Sequence, residues 1–465
     1  MDVGQGRRQN VHQRPLVIAF GLSISAKRKS LSIPAAIASN GHDQAAGTPR
    51  LRILFTEGAS LSARQTLYPL GPFYDIDVID PDPLCQCRFS SYVGRFFCSP
   101  SFSKQPAEFL RFLAKLIREG GYDVLFPTHE QVYLLSRFRD AFTPHIGLAL
   151  PDFAAMERMQ SKAEFSRLLI ELDLPQPDVA IVRSRADLDR PWQYPFYLKL
   201  AHSTAGGGVF HIENRGELDR RLDDVERKGL FGNGSEALAQ QPARGVLSTV
   251  QAVFNQGEMI GVHCFEARRL GVGGMSTART SADHPIVREH VARIGHHLSW
   301  HGALFIDYFY ERESARPEYI ECNPRIGETV NAMLSGVNLP RMVVQISHGQ
   351  SPSPAPPSRV GVRTHNLMMA LVSMAFFGGG RADLVREIQE CIRGRGLYEN
   401  SEDDITRPKE DPLSRLPRIW VTGQLLAWPG IARRIVAKTV ENYSLPEAAT
   451  ESIKALPLNL LDGAF

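Results

Sequence analysis

Leu304-Phe305-Ile306-Asp307-Tyr308-Phe309-Tyr310, the turn-forming stretch Glu311 to Pro317, and Glu318-Tyr319-Ile320-Glu321-Cys322-Asn323-Pro324-Arg325 carry the strongest signal in this chain. Alternate residues of a β-strand share a face. Phe305, Asp307 and Phe309 therefore project together, and so do Tyr319, Glu321 and Asn323. If the two runs pair as a hairpin, Asp307, Glu321 and Asn323 form one oxygen-rich cluster. Two carboxylates held together repel unless a proton or cation intervenes. A magnesium ion carrying nucleotide phosphates is the natural neutraliser, because it takes a few carboxylate oxygens and fills its shell with phosphate and water. Arg325 can reach a phosphate from the same side. The plain alternative is an exposed hairpin with ordinary surface acids. The apolar flanks Leu304-Phe305-Ile306 and Tyr319-Ile320 argue against it, since buried acids need partners.

Upstream, Tyr197-Leu198-Lys199-Leu200 runs into His202-Ser203-Thr204-Ala205-Gly206-Gly207-Gly208. A strand thus delivers a lysine to a glycine-rich turn, whose N–H groups can approach phosphates while the lysine adds a point charge. The lysine precedes the glycines and no GK[ST] follows, so this is not a Walker loop. Taken alone, it reads equally as a glycine-rich hairpin turn.

Further out, Leu51 to Phe55, Ile76 to Asp80 and Asp123 to Pro127 read as strands, and Phe109, Phe112, Leu113, Leu116 and Ile117 recur at helical spacing before Gly120-Gly121. Alternating strands and helices predict a doubly wound, mostly parallel sheet over 51–150. A helix from Ser161 to Leu172 opens a second unit, 151–350, with strands at 196–200, 208–212, 248–254, 259–263, 304–310 and 318–322, an α+β pattern on antiparallel sheets. Residues 351–357, Ser-Pro-Ser-Pro-Ala-Pro-Pro, read as a linker. The region 358–465 reads as mainly helical, with Leu384, Val385, Ile388, Cys391 and Ile392 on one face. Within it, Ile419 to Trp428, followed by Arg433, Arg434 and Lys438, is compatible with a membrane surface. Its shortness and its breaks at Gly423, Pro429 and Gly430 fit a packed helix better.

The 465 residues suggest two or three packed units. A net charge of +3, with 53 basic and 50 acidic residues, lacks the broad basic field of a nucleic-acid binder. The six cysteines lack zinc spacing and read as reduced thiols of a cytoplasmic protein. No apolar run reaches the ~18–20 residues that cross a bilayer. Residues 1–50 read as a poorly ordered extension, with a processed export signal as the lesser alternative. His263, His296, His297 and His301 show no zinc-ligand spacing and read as structural.

The order Lys162, Lys199, glycine-rich turn, Asp307, Glu321-Cys322-Asn323-Pro324-Arg325 resembles the ATP-grasp superfamily, nearest to carboxylate–amine ligases and the ATP-grasp halves of carbamoyl phosphate synthase. The resemblance covers roughly residues 51–350, and the E-x-N-P-R motif with its upstream acid is its specific part. It implies a Rossmann-like pre-ATP-grasp domain followed by an ATP-grasp fold. It further implies ATP phosphates on Lys162 and Lys199, and a flap from Ser203 through Gly206, Gly207 and Gly208. Magnesium, or manganese, would sit on Asp307, Glu321 and Asn323. Arg325 would touch the γ-phosphate or an acyl phosphate. The stretch 239–245, with Gln240, Gln241 and Ala243, would be the adenine hinge, although relatives usually carry a glutamate there and an acid near 247–249 for the ribose. The run Gly273 to Ser281 resembles the acceptor-pocket strand, where Arg279 would meet a substrate carboxylate or make an internal salt bridge. The implied activity joins a small-molecule carboxylate to an amine through an acyl phosphate. Another acceptor (bicarbonate or a thiol) and a nucleotide-binding regulatory protein without turnover remain alternatives. A homo-oligomer is compatible with all of these.

Overall fold

The computed structural model describes residues 49–189, 192–203, 207–227 and 236–465. Strands β1 (Arg52–Phe55), β2 (Asp75–Asp80), β3 (Val93–Cys98) and β4 (Val124–Phe126) form a parallel sheet in the order β3-β2-β1-β4. The short apolar runs of β1 and β4 are buried on both faces, whereas β3, at the edge, stays partly exposed. Helix Pro106–Gly120 buries Phe109, Leu113 and Ile117 and stops at Gly121, whose left-handed φ of 62° suits a residue without Cβ. Arg50, assigned by sequence to the extension, already donates to the carbonyls of Gly71, Phe73 and Tyr74.

Strands β5 (Val179–Val182), β6 (Phe196–Leu200), β7 (Val209–Ile212) and β8 (Ala237–Gln240) make an antiparallel sheet in the order β5-β8-β6-β7. It has its own core around Phe196, Leu198, Leu218 and Leu222. Strands β9 (Val246–Asn255), β10 (Glu258–Leu270), β11 (Ser276–Ala282), β12 (Gly302–Glu311), β13 (Arg316–Asn323), β14 (Arg363–His365) and β15 (Ser401–Asp403) form a seven-stranded sheet, ordered β13-β12-β9-β10-β11-β14-β15. On one face, Val250, Ala252, Phe254, Leu304 and Ile306 pack in a core with Val287, Val291 and Ile294 of helix Pro285–His297. On the other, Val253 and Ile260 meet helix Leu339–Ser347 and residues of β1 and β2. Thr249, Phe305, Asp307 and Phe309 continue that second face beyond the packed end, and there it becomes the floor of a cleft.

The C-terminal region is mainly helical, as the sequence predicts, but it is also woven into the large sheet. It contributes β14 and β15 to the large sheet, antiparallel on β11 and then parallel. Segment 351–357 contains no helix or strand but is tied down by the Ala355 N–H on the Ile260 carbonyl at 2.8 Å. On helix Arg381–Arg393, Leu384 is buried and Ile388 and Cys391 pack against the core, but Val385 and Ile392 are exposed. The apolar stripe is narrower than the sequence spacing predicts.

Candidate active site

The hairpin places its acids as the register requires. Asp307 lies opposite Glu321, and Phe305 opposite Asn323. Tyr319 departs from the expected face. A bulge between Asp307 and Tyr308 pairs Tyr308 with Tyr319, so Ile320 is the extra residue. One inserted residue reverses the alternation. Tyr319 therefore points into the core against Tyr308 and His290, while Glu321 and Asn323 remain on the cleft face.

Asp307 Oδ1 accepts from the Thr249 hydroxyl at 2.6 Å, and the Asn323 carboxamide lies 3.5 Å from Oδ2. The protein strips water from the Asp307 carboxyl, and the Glu321 charge beside it adds to the effect. Together they outweigh the Thr249 bond and push the group up to about 7. Glu321 meets Lys162 Nζ at 3.0 Å, and the same ammonium donates to the Ser203 carbonyl at 3.0 Å. Lys162 is the first residue of helix Lys162–Glu171, whose N-cap Ser161 accepts from the Glu164 N–H. The Lys162 N–H bonds the Ala201 carbonyl, fixing this helix end beside the turn after β6. Lys199, buried on β6, donates to Gln240 Oε1 at 2.6 Å. Burial, and then the like charge of Lys162, draw its ammonium down to about 8 against the opposing pull of Glu321.

Gln240 therefore orients a lysine, and its side chain is not free to read a base. The Gln241 carboxamide donates to the Gln193 carbonyl. A hinge at 239–245 would therefore meet a base through its main chain, not through these two carboxamides. The half-buried Ala243 keeps a main chain that no hydrogen bond engages among the described residues. In the turn after β6, the Gly208 carbonyl accepts from Leu200 N, and a Cβ at Gly208 would lie 2.6 Å from Ser203 Cβ. Gly207 lies in the same turn, and Gly206 falls outside the described residues.

Arg325 is nearly buried. Its Nε donates to Glu130 at 3.1 Å, one terminal nitrogen reaches Asn323 Oδ1 at 3.3 Å, and the guanidinium lies over the Phe305 ring. Glu130 follows β4, and Glu57 follows β1, at the carboxyl ends of parallel strands where α/β sheets hold ligands. His129 spans the pair, 3.7 Å from Glu57 and 3.8 Å from Glu130. Burial, reinforced by Glu130 and Asp80, pushes the Glu57 carboxyl well up. The turn at Glu57 thus borders the same cleft as Arg325. Sequence reasoning missed Glu130, although its place just after a strand-like run was visible.

Arg279 shares the cleft floor with Asp307, three strand spacings away, or about 14 Å of backbone. It is sealed by internal partners: a close ion pair with Glu328, Asp404 at 3.6 Å, the Ser276 carbonyl at 2.7 Å and the Phe265 ring below. Of the two readings weighed for Arg279, these contacts fit the internal salt bridge. Asp404 comes from the C-terminal region and Gln65, bonded to Glu328, from helix Leu61–Leu70. Neither was legible as a neighbour of Arg279. His263 donates to or accepts from Asn331 inside the fold, a structural placement.

No protein-family model matches the sequence, and no curated protein sequence matches it. Solved structures do match. Biotin carboxylase from Campylobacter jejuni, solved as a beta-gamma-ATP complex, is 16% identical with a TM-score of 0.54, over 68% of this chain and 74% of that one. The biotin carboxylase domain of 2-oxoglutarate carboxylase from Hydrogenobacter thermophilus, solved with MgADP and bicarbonate, is 17% identical with a TM-score of 0.54, over 68% and 73%. N5-carboxyaminoimidazole synthetase from Staphylococcus aureus, complexed with ADP, is 16% identical with a TM-score of 0.50, over 67% and 80%. A chain whose sheets follow this order and match those three enzymes along two thirds of its length has the ATP-grasp fold.

Proposed function

We propose that this chain is a magnesium-dependent ligase that uses ATP to activate a carboxylate as an acyl phosphate for attack by an amine. The observation that carries the reading is the convergence of Lys162 and Lys199, from a helix and the small sheet, on Asp307, Glu321, Asn323 and Arg325 at the large sheet. The similar enzymes named above were solved with ATP-type or ADP ligands, which supports a nucleotide here.

The residues suit magnesium. Asp307 and Glu321 offer carboxylate oxygens and Asn323 a carboxamide, and the raised Asp307 carboxyl marks a site short of positive charge. Among the described residues no three His, Cys, Asp or Glu side chains are placed to hold a metal ion by themselves, so an ion here would be completed by phosphate oxygens and water. Magnesium held there supplies charge neutralisation at the β- and γ-phosphates. Lys162 and Lys199 add two ammonium groups, Ser203, Gly207 and Gly208 border the phosphates, and the main chain of Ala243 faces the base. Arg325, braced by Glu130, stabilises the transferred phosphoryl group. A carboxylate oxygen attacks the γ-phosphorus, the bridging P–O bond breaks, and ADP leaves. The amine then attacks the acyl carbon, loses a proton, and releases phosphate. Arg279, locked by Glu328 and Asp404, shapes the acceptor end by holding those acids in place.

The deciding experiment is a screen of carboxylic and amino acids for ADP release, with hydroxylamine as the trap. The expected result is magnesium-dependent ADP together with a hydroxamate of one acid. AMP and pyrophosphate with the productive acid would overturn acyl-phosphate chemistry in favour of adenylation. Release that requires bicarbonate and no organic acid would replace the acceptor.

A further inference from the structure

Helix Arg415–Ala427 is apolar on its outward side as well as on the side it packs. Its inward side places Leu425 in a core with Leu371 and Val372 of helix Leu367–Phe376, and Arg418 on Asp403 at 3.2 Å. Its outward stripe is Leu416, Ile419, Trp420, Gly423 and Ala427, at the i, i+3, i+4, i+7, i+11 spacing of one helical face. Ile419 is 62% exposed, Trp420 68% and, just past the helix, Trp428 56%. The loop carrying exposed Phe377 is tied to the end of this helix by Arg381, which donates to the carbonyls of Leu426 and Ala427. Two exposed indoles and an exposed isoleucine within residues 419–428 are more than scattered surface apolars; exposed apolar side chains gathered in this way mark an interaction surface.

Charge decides what covers it. From Pro412 to Val440 the chain has five basic residues and no acidic one. Arg418 turns inward to Asp403 and Lys438 lies on Asp82, while Arg415, Arg433 and Arg434 are exposed. Arg433 and Arg434 open helix Ala432–Tyr443, which follows Trp428 directly through the turn Pro429–Ile431 and packs on the same helix Leu367–Phe376. An isologous contact through this segment would bring its unopposed arginines near those of the second copy. Indoles beside arginines on a helix too short to span a bilayer match the headgroup boundary of an anionic membrane. We propose that this face docks the protein on an anionic lipid surface, with Ile419, Trp420 and Trp428 entering the headgroup region and Arg415, Arg433 and Arg434 facing the lipid phosphates. The proposal is independent of the nucleotide chemistry.

The test is co-sedimentation of the full chain, without nucleotide, with phosphatidylcholine vesicles and with vesicles that also contain phosphatidylglycerol. Binding is expected only to the anionic vesicles, with a blue shift of tryptophan emission and loss at high salt. The double variant Arg433→Gln/Arg434→Gln should bind at least tenfold more weakly, from about fivefold per arginine near an anionic surface. Trp420→Ser/Trp428→Ser should lose the emission shift and the binding while its melting temperature stays that of the parent, since neither indole is buried. No binding to anionic vesicles, or equal binding to neutral ones, overturns the proposal. So does a dimer seen by light scattering that Trp420→Ser dissociates, which would assign the face to a second copy.

Discussion

At the residue scale the cleft is governed by charges that the fold leaves incompletely matched. Asp307 is held up to about 7, against an ordinary 3.8. The folded chain thus holds this proton more tightly than the unfolded one, and its contribution to stability falls as pH rises from about 4 through 7. Asn at this position carries no such charge. Metal-free Asp307→Asn should therefore melt above the parent at about pH 8, by up to a few kcal/mol at about 1.4 kcal/mol per pKa unit, and close to it at about pH 5. Magnesium should raise the parent at pH 8 and leave the variant unmoved. Parallel melting curves across this range would remove the assignment of Asp307. Glu321 tests the same cluster through activity. It is partly exposed and carries little packing, so Glu321→Gln should fold normally. Loss of a metal-binding carboxylate and of the Lys162 ion pair should cost several kcal/mol in the transition state, a drop of about a hundredfold or more in ADP release. Near-normal turnover would dismiss it as a ligand.

At the element scale, two local deviations shape the site. The bulge at Ile320 lets β13 present Tyr319 to the core and Glu321 to the cleft, which strict alternation forbids. Between β8 and β9, which belong to different sheets, the chain bends at Gly245, with a φ of 103° and a virtual Cβ 2.2 Å from the Tyr310 carbonyl oxygen. Any side chain there meets both a left-handed backbone and fixed backbone atoms of β12. Gly245→Ala should destabilise the fold by about 1–3 kcal/mol, measured by urea unfolding. It should also weaken nucleotide binding more than magnesium binding, because Ala243 lies in the same turn. An unchanged midpoint would show that the turn relaxes freely.

At the scale of the whole molecule, the C-terminal region is built into the first sheet's surroundings. Asp411 is fully buried and accepts from Arg64 at 3.1 Å and from the Ser91 N–H and hydroxyl at 2.9 and 2.7 Å. Arg64 and Tyr68 also reach the Ile405 carbonyl. Breaking a buried pair leaves an uncompensated charge, so Asp411→Ala should cost about 3–5 kcal/mol, read from denaturant or thermal melts. Loss of less than ~1 kcal/mol, the range of an exposed pair, would mean that the two regions are joined more loosely. Removal of 358–465 would strip β14 from β11, uncover that edge and unpair Arg64 at once, so a chain ending there should aggregate on expression.

The sequence by itself determined what is local. Short apolar runs set the strands, helical spacing and Gly121 bounded helix Pro106–Gly120, and the stretch 304–325 placed two acids and an amide on one face of a hairpin. Strand alternation and turn chemistry act over a few residues, so they can be read without coordinates. Only the tertiary structure decided what depends on partners distant in the chain. Glu130 braces Arg325 across nearly two hundred positions, Gln240 holds Lys199, Glu328 and Asp404 close around Arg279, and two short strands from the C-terminal region complete the large sheet. The bulge that turns Tyr319 inward belongs to the same class, because a strand's register is fixed by what its two faces meet, and those faces exist only once the sheets have packed.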